Sequence, residues 1–130
     1  MNYLGVDIST HNGNVDIKRV RDAGYKRIGI RAGFGNNNTD QKYDKNALAC
    51  ANLGVPVLLY WFSYAYTVDM AVKEAEFAVE HAKKYWKNCP IAFDLEYDSV
   101  RYARTKGVNI DMELATAMAV AFMRRVEELG

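Results

Sequence analysis

The sequence predicts an α/β fold with a parallel sheet, arranged as a partial (β/α) barrel of about four βα units. Four times along the 130-residue chain, a short apolar run typical of a strand is followed by a loop and an amphipathic helical pattern. Strands that alternate with helices in this way form parallel sheets. One face of each predicted strand carries polar side chains, which favours a barrel over an open sheet covered by helices on both faces.

The chain is expected to form one domain over residues 1–130. Strands are predicted over 3–9, 27–33, 55–64 and 91–96, and helices over 16–23, 44–53, 67–85 and 111–129. Gly24 and Gly54 stand where the first two helices end, and Thr67 is the predicted N-cap of the third. The segments 35–40 and 97–110 are predicted to be a polar loop and an irregular polar stretch.

The two faces of the predicted strands differ in chemistry. In the second strand, alternation turns Ile28, Ile30 and Ala32 toward the helices and Gly29, Arg31 and Gly33 to the other side. The same parity gives that second face the following side chains of the other strands: Gly5, Asp7, Ser9, Tyr60, Phe62, Tyr64, Ala92, Asp94 and Glu96. We expect its charged members to converge at the carboxyl ends of the strands, where α/β barrels bind ligands.

Two carboxylates separated by one residue, Asp94 and Glu96, follow the apolar start of the fourth strand and share a face. Crowding with Asp7 is expected to raise the pKa of one of these carboxyls, because like charges disfavour ionisation. The structural alternatives are a solvated or salt-bridged acid pair, and an Asp7 that pairs with Arg31.

Composition excludes several classes of partner. Seventeen basic against sixteen acidic residues give a net charge of +1, and no basic run interleaved with aromatic residues points to nucleic acid. No apolar run approaches the roughly 20 residues of a membrane span, and no signal-peptide pattern precedes the first strand. His11 and His81 are far apart, so we expect no metal and no cofactor. Cys50 and Cys89 are predicted to be buried free thiols.

Four motifs occur at consecutive predicted strand ends: GVDISTHNG at 5–13, IRAGFG at 30–35, LYWFSYA at 59–65 and FDLE at 93–96. In this order and spacing the chain resembles the family 25 glycoside hydrolases, the Chalaropsis-type lysozymes. The resemblance implies an irregular β/α barrel and a β-1,4-N-acetylmuramidase that cuts bacterial peptidoglycan between N-acetylmuramic acid and N-acetylglucosamine. It also implies an extracellular, cell-wall or phage-lysis setting.

The resemblance assigns roles to individual residues. Glu96 matches the proton donor, Asp94 the adjacent carboxylate that acts at the anomeric centre, and Asp7 the acid that ends the first strand. Glycoside hydrolysis needs one protonated and one ionised carboxyl group, so we assign the raised pKa of the crowded acids to Glu96. Retaining, inverting and substrate-assisted routes all remain compatible with the spacing of the acids. The side chains expected to contact the sugar are Arg31, Tyr60, Phe62, Tyr64 and Tyr97.

The family pattern continues beyond four strands, so the resemblance implies a C-terminally incomplete catalytic domain. Unpaired outer strands would then favour a homo-oligomer formed through the sheet edges. One alternative function is an inactive half-barrel that binds peptidoglycan sugars. A chitinase-like hydrolase of the family 18 type is a weaker alternative, because Cys89 and Ala92 stand where its D-x-x-D-x-D-x-E pattern has acids.

Overall fold

A computed structural model describes residues 4–130 of the chain. Tyr3, predicted to begin the first strand, lies outside the described residues. The elements in chain order are β1 (Leu4–Ile8), a 3-10 helix (Thr10–Asn12), α1 (Ile17–Asp22), β2 (Tyr25–Phe34), β3 (Asn38–Thr39), α2 (Tyr43–Leu53), β4 (Val57–Phe62), α3 (Val68–Lys83), β5 (Ile91–Asp94), α4 (Tyr97–Thr105) and α5 (Met112–Leu129).

The sheet confirms the predicted α/β class. Its strands run in the order β1-β2-β4-β5 with parallel pairing throughout, and the short β3 pairs antiparallel with β2. Between residues 4 and 130 the sheet does not close, and β1 and β5 form its two outer edges. Phe62 on β4 lies opposite Asp94 on β5, so both side chains belong to the carboxyl end of the sheet.

The core lies between the sheet and the helices. Ile30, Leu59 and Trp61 are fully buried on the helix-facing side of the strands, together with Phe122 from α5. This burial confirms the alternation predicted for the start of β2 and for β4. Removal of such apolar side chains from water, worth about 1.5–3 kcal/mol each, stabilises the helices against the sheet.

Gly33 lies on the opposite face from the one predicted. The pairing of β2 with β4 shifts between Arg31 and Gly33, so Gly33 lies opposite Trp61 and Phe34 opposite Phe62. A Cβ atom at Gly33 would come within 2.6 Å of the Trp61 ring and would overlap the carbonyl oxygen of Asn38. Strict alternation misses this bulge because it assumes one residue per position on each strand.

Besides the 3-10 helix, two elements were absent from the sequence prediction. The predicted loop 35–40 contains β3, and the stretch predicted as irregular contains α4. In α4 the backbone N–H of Glu96 donates to Ser99 Oγ at 3.1 Å, and the buried side chains are the small Ser99 and Ala103. Because α4 has only 9 residues and most of them are polar, the sequence analysis took it for an irregular polar stretch.

Searches of the described part of the chain for two further features gave no candidate. Across residues 4–130, no helix combines the length and apolar character needed to span a bilayer, and no cluster of three potential metal-ligating side chains occurs. Cys50 and Cys89 are free thiols, the first buried and the second partly buried. Burial raises the pKa of Cys50 to about 11, which keeps this thiol protonated.

Candidate active site at the carboxyl end of the sheet

The candidate site begins where β5 ends. Asp94 is the last residue of that strand, and Glu96, two residues later, is the N-cap of α4 with an extended backbone (φ −123°). The extended conformation continues the strand direction past its last residue. Asp94 and Glu96 therefore project toward the same side, as the sequence predicts.

The two carboxyl groups of Asp94 and Glu96 are in hydrogen-bond contact. Burial, this contact and the nearby charge of Asp7 raise the pKa of Asp94 to about 6, and Arg31 opposes the rise. Two carboxyls in contact share one proton and titrate as a pair.

The pKa of Asp94 is raised, and burial is the largest cause of the shift in this carboxyl. The sequence analysis assigned the raised pKa of the pair to Glu96, and that assignment stays a prediction. Asp94 is half-buried at the strand end, while Glu96 is exposed to solvent. Alternation along the strand predicts that the two acids are neighbours, but it does not show which of them loses more water.

Asp7 and Tyr60 belong to the same electrostatic neighbourhood. Burial raises the pKa of Tyr60 to about 12, and the negative charges of Asp7 and Asp94 contribute to this rise. The positive charge of Arg31 lowers the pKa, by less than Asp7 raises it. Gly29, beside Asp7 on the neighbouring strand, leaves room for this acid, because a Cβ there would lie 3.2 Å from the Asp7 Cβ. The structure therefore brings together the predicted acids and Tyr60.

Arg31 pairs with an acid that the sequence analysis did not single out. Its Nε lies 2.8 Å from Oδ2 of the buried Asp40, which also accepts a hydrogen bond from the backbone N–H of Thr10. Its guanidinium lies over the ring of Phe34, 5.0 Å from the centroid. The alternative in which Arg31 pairs with Asp7 is therefore wrong. Asp40 was missed because it closes a polar segment typical of a turn.

Aromatic rings extend from the acid pair along the end of the sheet. The ring of Tyr64 lies 5.3 Å from that of Phe62, 6.3 Å from that of Phe34 and 5.2 Å from that of Tyr102, between centroids. We call these four residues the aromatic row. Sequence analysis predicted Phe62 and Tyr64, but the bulge in β2 concealed Phe34 and the unpredicted helix α4 concealed Tyr102.

Tyr97 has a separate environment. It begins α4, its side chain is 69% exposed, and Arg101 lies over its ring at 5.8 Å from the centroid. The structure therefore places this predicted sugar contact next to Glu96 in sequence but outside the aromatic row.

Two of the cavities lie toward opposite ends of the sheet. The larger, about 970 Å³, is lined mostly by residues toward the amino ends of the strands, including Pro56 and Pro90, and it extends to Asp7. A smaller one of about 320 Å³ adjoins the aromatic row and is lined by Tyr64, Tyr102 and Glu74. The acid pair lines neither cavity. We therefore locate the candidate site by its titratable groups, on the open face beside the aromatic row.

Comparison with known proteins decides the family. The sequence model described as glycosyl hydrolases family 25 matches residues 6–130. The chain belongs to family 25 of the glycosyl hydrolases. A search of curated proteins gives no match.

Solved structures show the same fold. The autolysin LytC from Streptococcus pneumoniae is 24% identical with a TM-score of 0.80, over 96% of this chain and 30% of that one. The CTP1L endolysin is 26% identical with a TM-score of 0.75, over 98% of this chain and 42% of that one. A family 25 glycosyl hydrolase from Bacillus anthracis is 20% identical with a TM-score of 0.73, over 98% and 56%. This family 25 chain thus spans between 30% and 56% of the length of these proteins.

Proposed function

We propose that this family 25 chain provides the acid pair of a lysozyme-type hydrolase that cleaves the β-1,4 bond between N-acetylmuramic acid and N-acetylglucosamine in bacterial peptidoglycan. The observation that carries the proposal is the contact between Asp94 and Glu96, which lets two carboxyls hold one proton on an open face of the sheet. Glycoside hydrolysis requires one carboxyl in each protonation state.

Glu96 is the proposed proton donor. It is exposed at the rim of the site, where it can reach the oxygen of a bound glycosidic bond. As its proton passes to that leaving oxygen, the carboxylate of Asp94 stabilises the positive charge that develops at the anomeric carbon or on the following intermediate. Asp7 adds negative potential from β1. Because the pair loses its shared proton as the pH rises through about 6, cleavage is expected to slow above that pH.

Sugar binding is assigned to the aromatic row with Arg31, Tyr60 and Tyr97. Ring faces of tyrosine and phenylalanine suit the apolar faces of pyranose rings. Two solved neighbours support a peptidoglycan ligand: LytC is described in complex with a synthetic peptidoglycan ligand, and the Cpl-1 endolysin with a peptidoglycan analogue. The names autolysin and endolysin support a site of action at the cell wall.

The deciding experiment measures the release of reducing ends from purified peptidoglycan by the wild-type chain and by Glu96→Gln. Mass spectrometry of the products identifies the cut, because a muramidase leaves N-acetylmuramic acid at the new reducing end. Asp98→Asn is the matched control, since Asp98 is an exposed acid next to the site that pairs with Arg101. Cleavage that survives Glu96→Gln would remove Glu96 from the role of acid.

The same samples test the alternative function. A folded wild-type chain that sediments with peptidoglycan without cutting it would support the inactive sugar-binding half-barrel. We also propose self-association through the exposed edges of β1 and β5, and analytical ultracentrifugation in the assay buffer tests it. A strictly monomeric chain would contradict that part of the proposal.

A further inference from the structure

A second acid at the carboxyl end of the sheet has no part in the proposed chemistry. Glu74 lies on the buried side of α3, and its side chain is 3% exposed. Both of its oxygens accept hydrogen bonds: Oε1 from the hydroxyl of Ser63 at 2.6 Å, and Oε2 from the backbone N–H of Tyr64 at 3.0 Å. Glu74 is therefore fixed to the segment that follows β4.

That segment needs donors and acceptors that the sheet no longer supplies. β4 ends at Phe62, and after Ser63 the backbone N–H groups no longer bond to a neighbouring strand. Glu74 accepts the N–H of Tyr64, and the Ser63 hydroxyl accepts the N–H of Ala65 at 3.1 Å. Because a buried N–H group without a partner destabilises the fold, these two contacts stabilise the conformation of residues 63–65.

Residues 63–65 connect Glu74 to the candidate site in two directions. The backbone N–H of Ser63 donates to the carbonyl oxygen of Asp94 at 2.8 Å, which ties the segment to the acid at the end of β5. The side chain of Tyr64 stands in the centre of the aromatic row, in contact with Phe34, Phe62 and Tyr102. A displacement of this segment would move both the acid and the ring.

The burial of a carboxyl group on α3 is costly, and packing alone would favour an apolar residue. Burial raises the pKa of Glu74 to about 7, while its hydrogen bonds with Ser63 and Tyr64 oppose the rise. The buried neighbours of Glu74 on the same helix are Ala71, Ala75 and Ala78, which are small and apolar. A carboxyl group at this position is thus explained by its two hydrogen bonds and not by the packing of the helix.

We propose that Glu74 is a positioning residue for the candidate site, which holds Ser63, Tyr64 and, through Ser63, the main chain of Asp94 in place for the substrate. This inference rests on the proposed function, because the groups that Glu74 positions belong to the proposed active site. The hydrogen bonds of Glu74 go to Ser63 and Tyr64 and not to the acid pair, so its proposed action is through the segment 63–65.

The test compares Glu74→Leu, Glu74→Gln and Ser63→Ala with Glu80→Leu, an exposed acid on the same helix, as matched control. Leucine removes both acceptors, whereas glutamine keeps an acceptor for Tyr64 and a polar partner for Ser63. Two readouts are needed: amide hydrogen exchange at Tyr64 and Ala65, and the affinity and cleavage rate for a soluble peptidoglycan tetrasaccharide.

We expect Glu74→Leu to speed exchange at Tyr64 at least tenfold and to weaken tetrasaccharide binding about tenfold. In Glu74→Gln, exchange at Tyr64 and tetrasaccharide binding should both be close to those of the wild type. Ser63→Ala should speed exchange at Ala65, and Glu80→Leu should match the wild type in both readouts. If Glu74→Leu does not fold, Ser63→Ala alone decides. Unchanged exchange or affinity in a folded Glu74→Leu or Ser63→Ala would overturn the inference. A wild-type chain that neither binds nor cleaves would refute the proposed function, and exchange would then decide whether Glu74 fixes the segment.

Discussion

Two carboxyl groups with raised pKa values, Asp94 and Glu74, lie at the carboxyl end of the same sheet on opposite faces. Asp94 stands on the open face, half-buried, and its neighbours are the acids Glu96 and Asp7. Glu74 stands on the helix-covered face, fully buried, and its partners are the hydrogen-bond donors Ser63 and Tyr64. Burial is the largest cause of the raised pKa in both.

The difference lies in what the neighbours do to each acid. Around Asp94 they are acids that repel its charge, which leaves the pair with a proton to share and transfer. Around Glu74 they donate hydrogen bonds that favour its charge and fix its position. A raised pKa alone therefore does not identify a catalytic acid, and the neighbours decide between proton transfer and support of the backbone.

The largest effect is expected from Asp94→Asn. Loss of this carboxylate should lower the rate of peptidoglycan cleavage about 100-fold or more, since it removes the charge that stabilises the transition state. Its folded pKa of about 6 lies above the ordinary value of 3.8, so the ionised group destabilises the fold above pH 6. The variant should therefore melt no lower than the wild type at pH 7, as thermal unfolding can show. An Asp94→Asn variant that still cleaves peptidoglycan would mean that Asp94, like Glu74, takes no direct part in the chemistry.

Gly33→Ala tests the boundary between the two faces. The added methyl would overlap the Asn38 carbonyl and press on the Trp61 ring, so we expect the free energy of unfolding to fall by about 3 kcal/mol or more. Urea denaturation measures this change. Gly130→Ala is the control, because a Cβ there would be 3.8 Å from the Lys83 side chain, an ordinary contact. A fully stable Gly33→Ala would contradict the bulge that turns Phe34 toward Phe62.

These cases show which parts of the structure could be predicted from sequence. The parallel sheet, the helix-facing core residues and the convergence of Asp7, Asp94 and Glu96 follow from alternation and from parallel strands ending at one edge. Phe34 and Tyr102 could not be predicted, because one depends on a one-residue bulge and the other on a short helix of mostly polar residues.

Glu74 was missed for a different reason. In sequence it is one charged residue within the amphipathic helix α3, where charged residues normally face solvent. Its role depends on Ser63 and Tyr64, which are eleven and ten residues earlier and meet it only because α3 packs against the end of β4. Contacts of this kind come from tertiary packing, and helical periodicity carries no sign of them.

The pH dependence of the free energy of unfolding tests Glu74, the acid on the helix-covered face of the sheet. The folded pKa of Glu74, about 7, exceeds the ordinary 4.5, so the native protein binds more protons between these values and loses stability as the pH rises from 4.5 to 7. Glu74→Gln does not titrate, so its stability relative to wild type should increase by about 2 to 3 kcal/mol over that range. Urea denaturation at several pH values measures the difference. A constant difference would mean that Glu74 does not titrate as a buried acid.

The smallest expected effect concerns the acid on the open face. Glu96→Gln removes a carboxyl group that both contacts and repels Asp94, while the burial of Asp94 stays. The pKa of Asp94 should therefore fall from about 6 toward its ordinary value by about one pH unit. Carbon-detected NMR titration of the Asp94 carboxyl measures this shift, with Asp98→Asn as the control expected to leave it in place. An unchanged midpoint in Glu96→Gln would mean that Glu96 does not raise the pKa of Asp94. Asp94 and Glu96 would then share no proton, and the proposed chemistry would lose the group on which it depends.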